Sequence, residues 1–220
     1  MMIAGTLVLL SISPARACDA DSVITLFETK VHASQLIRLK YQKQTHSLLF
    51  GERKSESGTL WLGPPKRYKV DSPTQTVTRG ADTLWVYTPA THQVTLRVGN
   101  LDSLEFGPAG FFGSLRADFF PVDCGPDTTG SDILWKIRLA ARTETAPIQR
   151  LTLWVDPATH WARVAEYVDY NEETSRLTLT DYHTDVTVAK DPFTFVYPHG
   201  VERIVLPNSP ARHDNAGTGD

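Results

Sequence analysis

At 220 residues the chain is long enough for one domain of ordinary to large size and too short for two with good cores. Hydrophobic residues make up 41% and charged residues 21%, with 14 Gly and 14 Pro spread along the chain, which excludes a disordered polymer, a collagen and a helical membrane bundle. The formal net charge of -3 argues against a protein that holds phosphate backbones, so no nucleic acid is expected as a partner.

Residues 1–13 carry no charged side chain, and the apolar run from Ile3 to Ile12 has the length of a secretory h-region. It falls well short of the ~20 residues that span a bilayer. Pro14 ends the run and Ala15-Arg16-Ala17 supplies a small-x-small pattern. Residues 1–17 are therefore predicted to be a cleaved signal peptide, with Cys18 at the mature N-terminus. The only other cysteine is Cys124. Three fates stand open for the pair: lipidation of Cys18, a Cys18–Cys124 disulfide in an oxidising compartment, or two unrelated thiols.

From Asp21 to about Ala33 the apolar residues Val23, Leu26, Phe27 and Val31 recur at helical spacing, which predicts one amphipathic helix. At Ile37, Leu39 and Tyr41 the period changes to two and the sheet begins. Strands are expected at 47–50, 58–62, 67–71, 76–79, 83–88 and 93–98, separated by turns rich in Gly, Pro and Asp. Connections this short require antiparallel hairpins, so the first half reads as a meander. The second half repeats the pattern at 133–142, 149–155, 162–169, 176–182 and 193–197. Between the halves, residues 101–120 form an aromatic, Gly-punctuated stretch in which Pro108 could open a short helix. This segment reads either as ordinary core or as a mobile lid over an apolar cavity. The globular domain is expected to cover 18–206, with a disordered tail from 207 to 220.

Chemistry-bearing motifs are absent. No two of the seven histidines stand three or four residues apart, and there is no nucleophile elbow, P-loop or dinucleotide glycine pattern. No catalytic residue, metal or cofactor is expected. The carboxylates Glu166, Asp169 and Asp181 read as solvated strand or turn positions. The aromatic residues carry more information than the polar ones.

The stretches Gly58-Thr-Leu-Trp-Leu-Gly-Pro-Pro-Lys-Arg-Tyr-Lys-Val70 and Gly80-Ala-Asp-Thr-Leu-Trp-Val-Tyr-Thr-Pro-Ala-Thr-His-Gln93 resemble LolA, the periplasmic lipoprotein carrier family of Gram-negative bacteria. Asp191-Pro-Phe-Thr-Phe-Val-Tyr-Pro-His-Gly-Val201 is similar to the family's closing motif. The resemblance implies an incomplete antiparallel barrel of about eleven strands, mainly β, with helices covering a concave apolar face. It also implies a monomer that carries lipoprotein acyl chains through the periplasm, from an inner-membrane lipoprotein-releasing transporter to an outer-membrane receptor. No enzymatic activity is implied.

On this reading Trp61, Tyr68, Val70 and Trp85 line the sheet side of the cavity together with Tyr87, Leu96 and Val98. Parity in 83–88 stays open, since Leu84 and Val86 are as apolar as Trp85 and Tyr87. Phe111, Phe112, Leu115 and Phe119 would line the lid, and each lining residue would also suit ordinary core. Tyr68 falls on the family's third-strand aromatic. The family's basic residue before that strand falls on Pro64, which leaves Arg67 as a candidate to latch the lid. Two rivals remain: a lipidated outer-membrane receptor of the same fold, anchored through Cys18, and a periplasmic lipid-sensing module.

Overall fold

The computed structural model describes residues 18–47, 51–99, 101, 112, 115–129, 132–169 and 172–207. The expected signal peptide, nearly all of the tail, Phe111 and the Pro108 helix start lie outside the described residues. Helix α1 (Ala20–Ala33) begins after Asp19, whose carbonyl accepts from the Val23 amide at 3.0 Å. Its buried stripe is Val23, Ile24 and Phe27. Leu26, expected inside, is 46% exposed and Ile24 takes its place at 2%. Residues i, i+1 and i+4 share a face about one-third of a turn wide, and Leu26 falls outside it.

Twelve strands follow among the described residues. The first six are β1 (Ile37–His46), β2 (Arg53–Gly63), β3 (Arg67–Asp71), β4 (Thr76–Arg79), β5 (Thr83–Thr88) and β6 (Gln93–Val98). A one-turn helix, α2 (Leu115–Asp118), leads into β7 (Phe119–Thr129) and β8 (Asp132–Ala141). Then come β9 (Ile148–Val155), β10 (Ala162–Asp169), β11 (Thr174–Thr184) and β12 (Glu202–Val205). They form one open sheet in the order β12-β6-β5-β4-β3-β2-β1-β11-β10-β9-β8-β7. Two antiparallel meanders, β1 to β6 and β7 to β11, are thus zipped together where β1 pairs with β11. The half-barrel architecture is as the resemblance implied, with one departure: β12 pairs with β6 in parallel.

The strand expectations need correction in several places. Strand β1 runs on to His46 and β2 starts at Arg53, so Ser47, expected in a strand, sits in the turn between them, with 48–50 outside the described residues. Strand β7 has no counterpart in the expected set because Pro121 and Pro126 interrupt it; as an edge strand it can spare their missing amides. The stretch 193–197 is not a strand. Its alternating Phe193, Phe195 and Tyr197 have the right period, but they pack against the sheet through side chains rather than extending it through hydrogen bonds.

The main core lies on one face of the sheet, and a smaller buried cluster of Leu134, Trp154 and Val164 lies on the other. Leu39, Leu60 and Val70 sit opposite one another across β1, β2 and β3, and Ile137, Leu153 and Ala165 do the same across β8, β9 and β10. All six belong to one buried cluster with Val23, Ile24 and Phe27 of α1. Gly58 shows how tightly this face is built. A Cβ there would stand 2.3 Å from the Asp71 carbonyl oxygen and 2.9 Å from the Tyr41 ring. Gly58→Ala is expected to cost about 1–3 kcal/mol in urea denaturation, while Gly125→Ala, with open space around it, stays within about 0.5 kcal/mol. Equal costs would mean that the β2–β3 pairing gives way easily.

Candidate functional site: the roofed core face

Pairing register fixes which side chains share the core face. One cross-strand row reads Ile37, Leu62, Tyr68, Arg79, Leu84, Arg97 from β1 to β6. The neighbouring row reads Leu39, Leu60, Val70, Val77, Val86, Thr95. Of the expected sheet-side residues, Tyr68 and Val70 are on this face and buried in the main cluster.

The other five are on the opposite face. Trp61 lies between Leu60 and Leu62 in sequence and so points outward, beneath the Arg38 guanidinium at 5.7 Å. Trp85 and Tyr87 pair with Leu96 and Val94, which places them and Leu96 outward, with Val98 one step further along β6. The open parity of 83–88 is therefore settled for Leu84 and Val86, and Leu84 packs against the main cluster. The loop lengths contained this answer. Val70 opposite Val77 and Arg79 opposite Leu84 are set by the short turns at 72–75 and 80–82, and each turn carries parity from one strand to the next.

The outward aromatics have their own partner in the C-terminal segment. Phe195 stacks on Trp85 with centroids 5.8 Å apart, and Trp85 Nε1 donates to Tyr197 Oη at 3.0 Å. Arg67, the candidate lid latch, belongs to this side as well. Its Nε donates to the Pro64 carbonyl at 2.7 Å, its Nη1 pairs with Asp191 at 3.0 Å, and its guanidinium covers Phe193 at 4.7 Å. Arg67 thus ties down the C-terminal segment, where Phe193 fills the space above Gly63.

The roof over the core face is helical and aromatic. Phe112, Leu115 and Phe119 are each 1–2% exposed and join the same cluster as Tyr68 and Val70. Phe119 is the first residue of β7 rather than part of a lid helix. Phe27 meets the Phe112 ring at 5.7 Å and the Trp161 ring edge-on at 6.5 Å, and Trp161 stacks on Tyr182 at 4.6 Å. Composition points to aromatics in general, but nothing local in the sequence singles out Phe27, Trp161 and Tyr182, because their meeting depends on α1 crossing to β10 and β11. Polar ties bind the roof together: Arg116 N donates to Glu28 at 3.0 Å and Arg116 Nη2 to the Asp21 carbonyl at 3.0 Å. At the other end, Lys30 Nζ donates to the Thr159 carbonyl at 2.6 Å and lies 4.7 Å from the Trp161 ring centroid.

Cys18 is disulfide-bonded to Cys124, with Cα atoms 5.5 Å apart. The start of α1 is thereby fixed to β7, and of the three fates open to the pair the disulfide is the one found. Its sulfur is no longer available for a thioether, which removes the residue on which the lipidated-receptor reading depended.

Two phenols are held in their neutral form. Burial, then the hydrogen bond to Glu56 Oε1 at 2.7 Å and that carboxylate's charge, raise the Tyr41 pKa above the usual tyrosine range. Burial does the same for Tyr182, whose hydroxyl donates to the Ala162 carbonyl at 2.7 Å. In the unfolded chain both phenols ionise near pH 10. Their stabilising contribution is therefore complete below about pH 10 and is lost as pH rises from there toward the folded-state values. Alkaline titration followed by tyrosinate absorbance is expected to show two phenols that ionise only as the sheet unfolds. In the Tyr41→Phe, Tyr182→Phe double variant the fall in stability above pH 10 should flatten, and an unchanged slope would contradict the assignment.

Among the described residues, no group of three or more His, Cys, Asp or Glu side chains is placed to hold a metal ion, and no helix is long and apolar enough to cross a membrane. No family model matches the chain, and no curated protein matches it. Solved structures do. An uncharacterized conserved protein from Thermus thermophilus superimposes with a TM-score of 0.55 at 11% identity, over 85% of this chain and 99% of that one. A LolA superfamily protein from Nitrosomonas europaea gives 0.42 at 12% identity over 78% and 96%, and a DUF1329 family protein from Desulfovibrio piger gives 0.44 at 13% over 79% and 96%. At identities this low the likeness is one of fold alone, that of an open half-barrel sheet with helices packed on its core face.

Proposed function

We propose that the protein is a periplasmic carrier that holds the acyl chains of lipoproteins against the core face of the half-barrel and moves them from the inner to the outer membrane. The observation that carries this reading is the roof. Phe112 and Leu115 are almost fully buried in the same apolar cluster as Tyr68 and Val70, although the α2 helix that bears Leu115 has only one turn. So short a helix has little stability of its own and depends on apolar contact. Each CH₂ of a ligand moved from water to such a face gains ~0.8 kcal/mol, enough for an acyl chain to compete with Phe112 and Leu115 for the same surface. That competition keeps net affinity moderate and makes release to a receptor possible. The donor would be an inner-membrane lipoprotein-releasing transporter and the acceptor an outer-membrane receptor. No chemical step is required of the protein.

The test is lipid extraction and mass spectrometry of protein purified from the periplasm, together with binding of a labelled acylated peptide. Phe112→Ala and Tyr68→Glu should weaken peptide binding by a larger factor than they weaken folding. If affinity and stability fall in proportion, or no acylated species co-purifies, these side chains are ordinary core and the carrier reading fails.

A further inference from the structure

We propose that the amphiphile received by the core face has an anionic head, a carboxylate or a phosphate ester, and that Arg97 with Arg79 binds it. The inference rests on reading the core face as an acyl site and adds the chemical class of the ligand's polar end.

Along the row Ile37, Leu62, Tyr68, Arg79, Leu84, Arg97, four positions are apolar or aromatic, as a core face requires, and two are arginine. The arginines flank Leu84 on β4 and β6, so their Cα atoms stand about 10 Å apart across three strands. Leu84 itself packs against the main apolar cluster. The helices' main contacts with the sheet are at β7, at its far edge, so the arginines lie toward the opposite end of the core face. An arginine on such a face normally has a carboxylate partner. Arg97 has none among the described residues, and its Nε is buried without a hydrogen-bond acceptor. In a chain whose net charge is -3, acidic side chains are not scarce. Leaving the Arg97 guanidinium unmatched here fits an acceptor that arrives with the ligand.

The geometry suits an amphiphile. An alkyl chain lying along the apolar rows toward Tyr68 and Val70 would bring its polar end to β4–β6. The planar fork of a guanidinium matches a carboxylate or phosphate through two parallel donors, and a second guanidinium across Leu84 adds charge without crowding. A neutral alcohol or glyceride would leave the charge of Arg97 without a counter-ion.

Binding of dodecanoic acid, dodecyl phosphate and dodecanol to the oxidised full-length mature protein, each by displacement of a fluorescent apolar dye at pH 8 and constant ionic strength, tests the proposal. The expected result is that one or both anions bind about 10–100-fold more tightly than the alcohol, as charge-assisted hydrogen bonds imply. Which anion is preferred separates a carboxylate source from a phosphate source. Arg97→Gln should remove most of that preference while leaving dodecanol affinity within about two-fold. Arg79→Gln should reduce it as well, and serves as the second variant if Arg97→Gln does not fold. Dodecanol binding as tightly as the anions, or both variants weakening all three ligands equally, would overturn the anionic-head assignment while leaving the acyl site standing. Absence of binding by all three would overturn the acyl site and this inference together.

Discussion

Replacing Cys18 and Cys124 together by serine is expected to lower the free energy of unfolding by about 4–5 kcal/mol. The disulfide links residues separated by 106 positions, and a cross-link closing a loop of roughly 100 residues removes about that much conformational freedom from the unfolded chain on the entropic model. A domain is typically stable by about 5–15 kcal/mol, so the loss would consume a large part of the margin. Its location adds a structural effect. The bond fixes the start of α1 to β7, and without it α1 is held by Val23, Ile24 and Phe27 and by the ties of Arg116 and Lys30. Urea denaturation of oxidised, reduced and doubly substituted protein measures the difference. A shift below about 1 kcal/mol would show that packing alone holds the N-terminus in place.

Phe27→Ala is expected to cost about 3–5 kcal/mol, the range for a large aromatic removed from a filled core. Phe27 has no exposed surface and touches both Phe112 and Trp161, so its loss empties the junction between the roof and the sheet. The neighbouring Leu26→Ala is the control. With Leu26 46% exposed, its cost should stay below about 1 kcal/mol. The far-ultraviolet spectrum of Phe27→Ala should remain that of a β-protein, because the residue holds the helix to the sheet rather than the strands to each other. Similar losses for the two variants would mean that α1 is rotated about its axis from the position described.

Most of the sheet is legible in the chain because hairpins are local. Strands β3, β4, β5 and β6 have the expected bounds, each delimited by Gly, Pro or Asp turns that act within a few residues. What the sequence hides is long-range. Trp85 and Tyr87 have the size and apolarity of cavity residues, but Leu84 and Val86 are equally suited to the core. The choice depends on Phe195 and Tyr197 being available, over a hundred positions later, to cover the other side. Arg67 holds Asp191 and Phe193 rather than a lid for the same reason, since its partners come from the far end of the chain. Strand β12 is four residues long, with exposed Glu202, Arg203 and Val205, and has no periodic signature of its own. It is defined by its pairing with β6. The disulfide is one of three readings at the level of sequence because spacing along a chain does not reveal separation in space.

The junction of the two meanders has a consequence for how the molecule is made. Strands β1 to β6 can form by successive hairpins as the chain appears, and so can β7 to β11, each step closing only a short loop. Pairing of β1 with β11 joins Ile37 to Thr184, so it must await synthesis of nearly the whole domain. Until then the first-formed half presents Leu39 and Tyr41 along an unpaired strand edge, the form of surface that invites pairing with other chains. The nascent protein is thus most vulnerable to aggregation at the strand that becomes the centre of its finished sheet. Slow emergence of residues 174–184, or a truncation before them, should yield insoluble material rather than a stable half-domain.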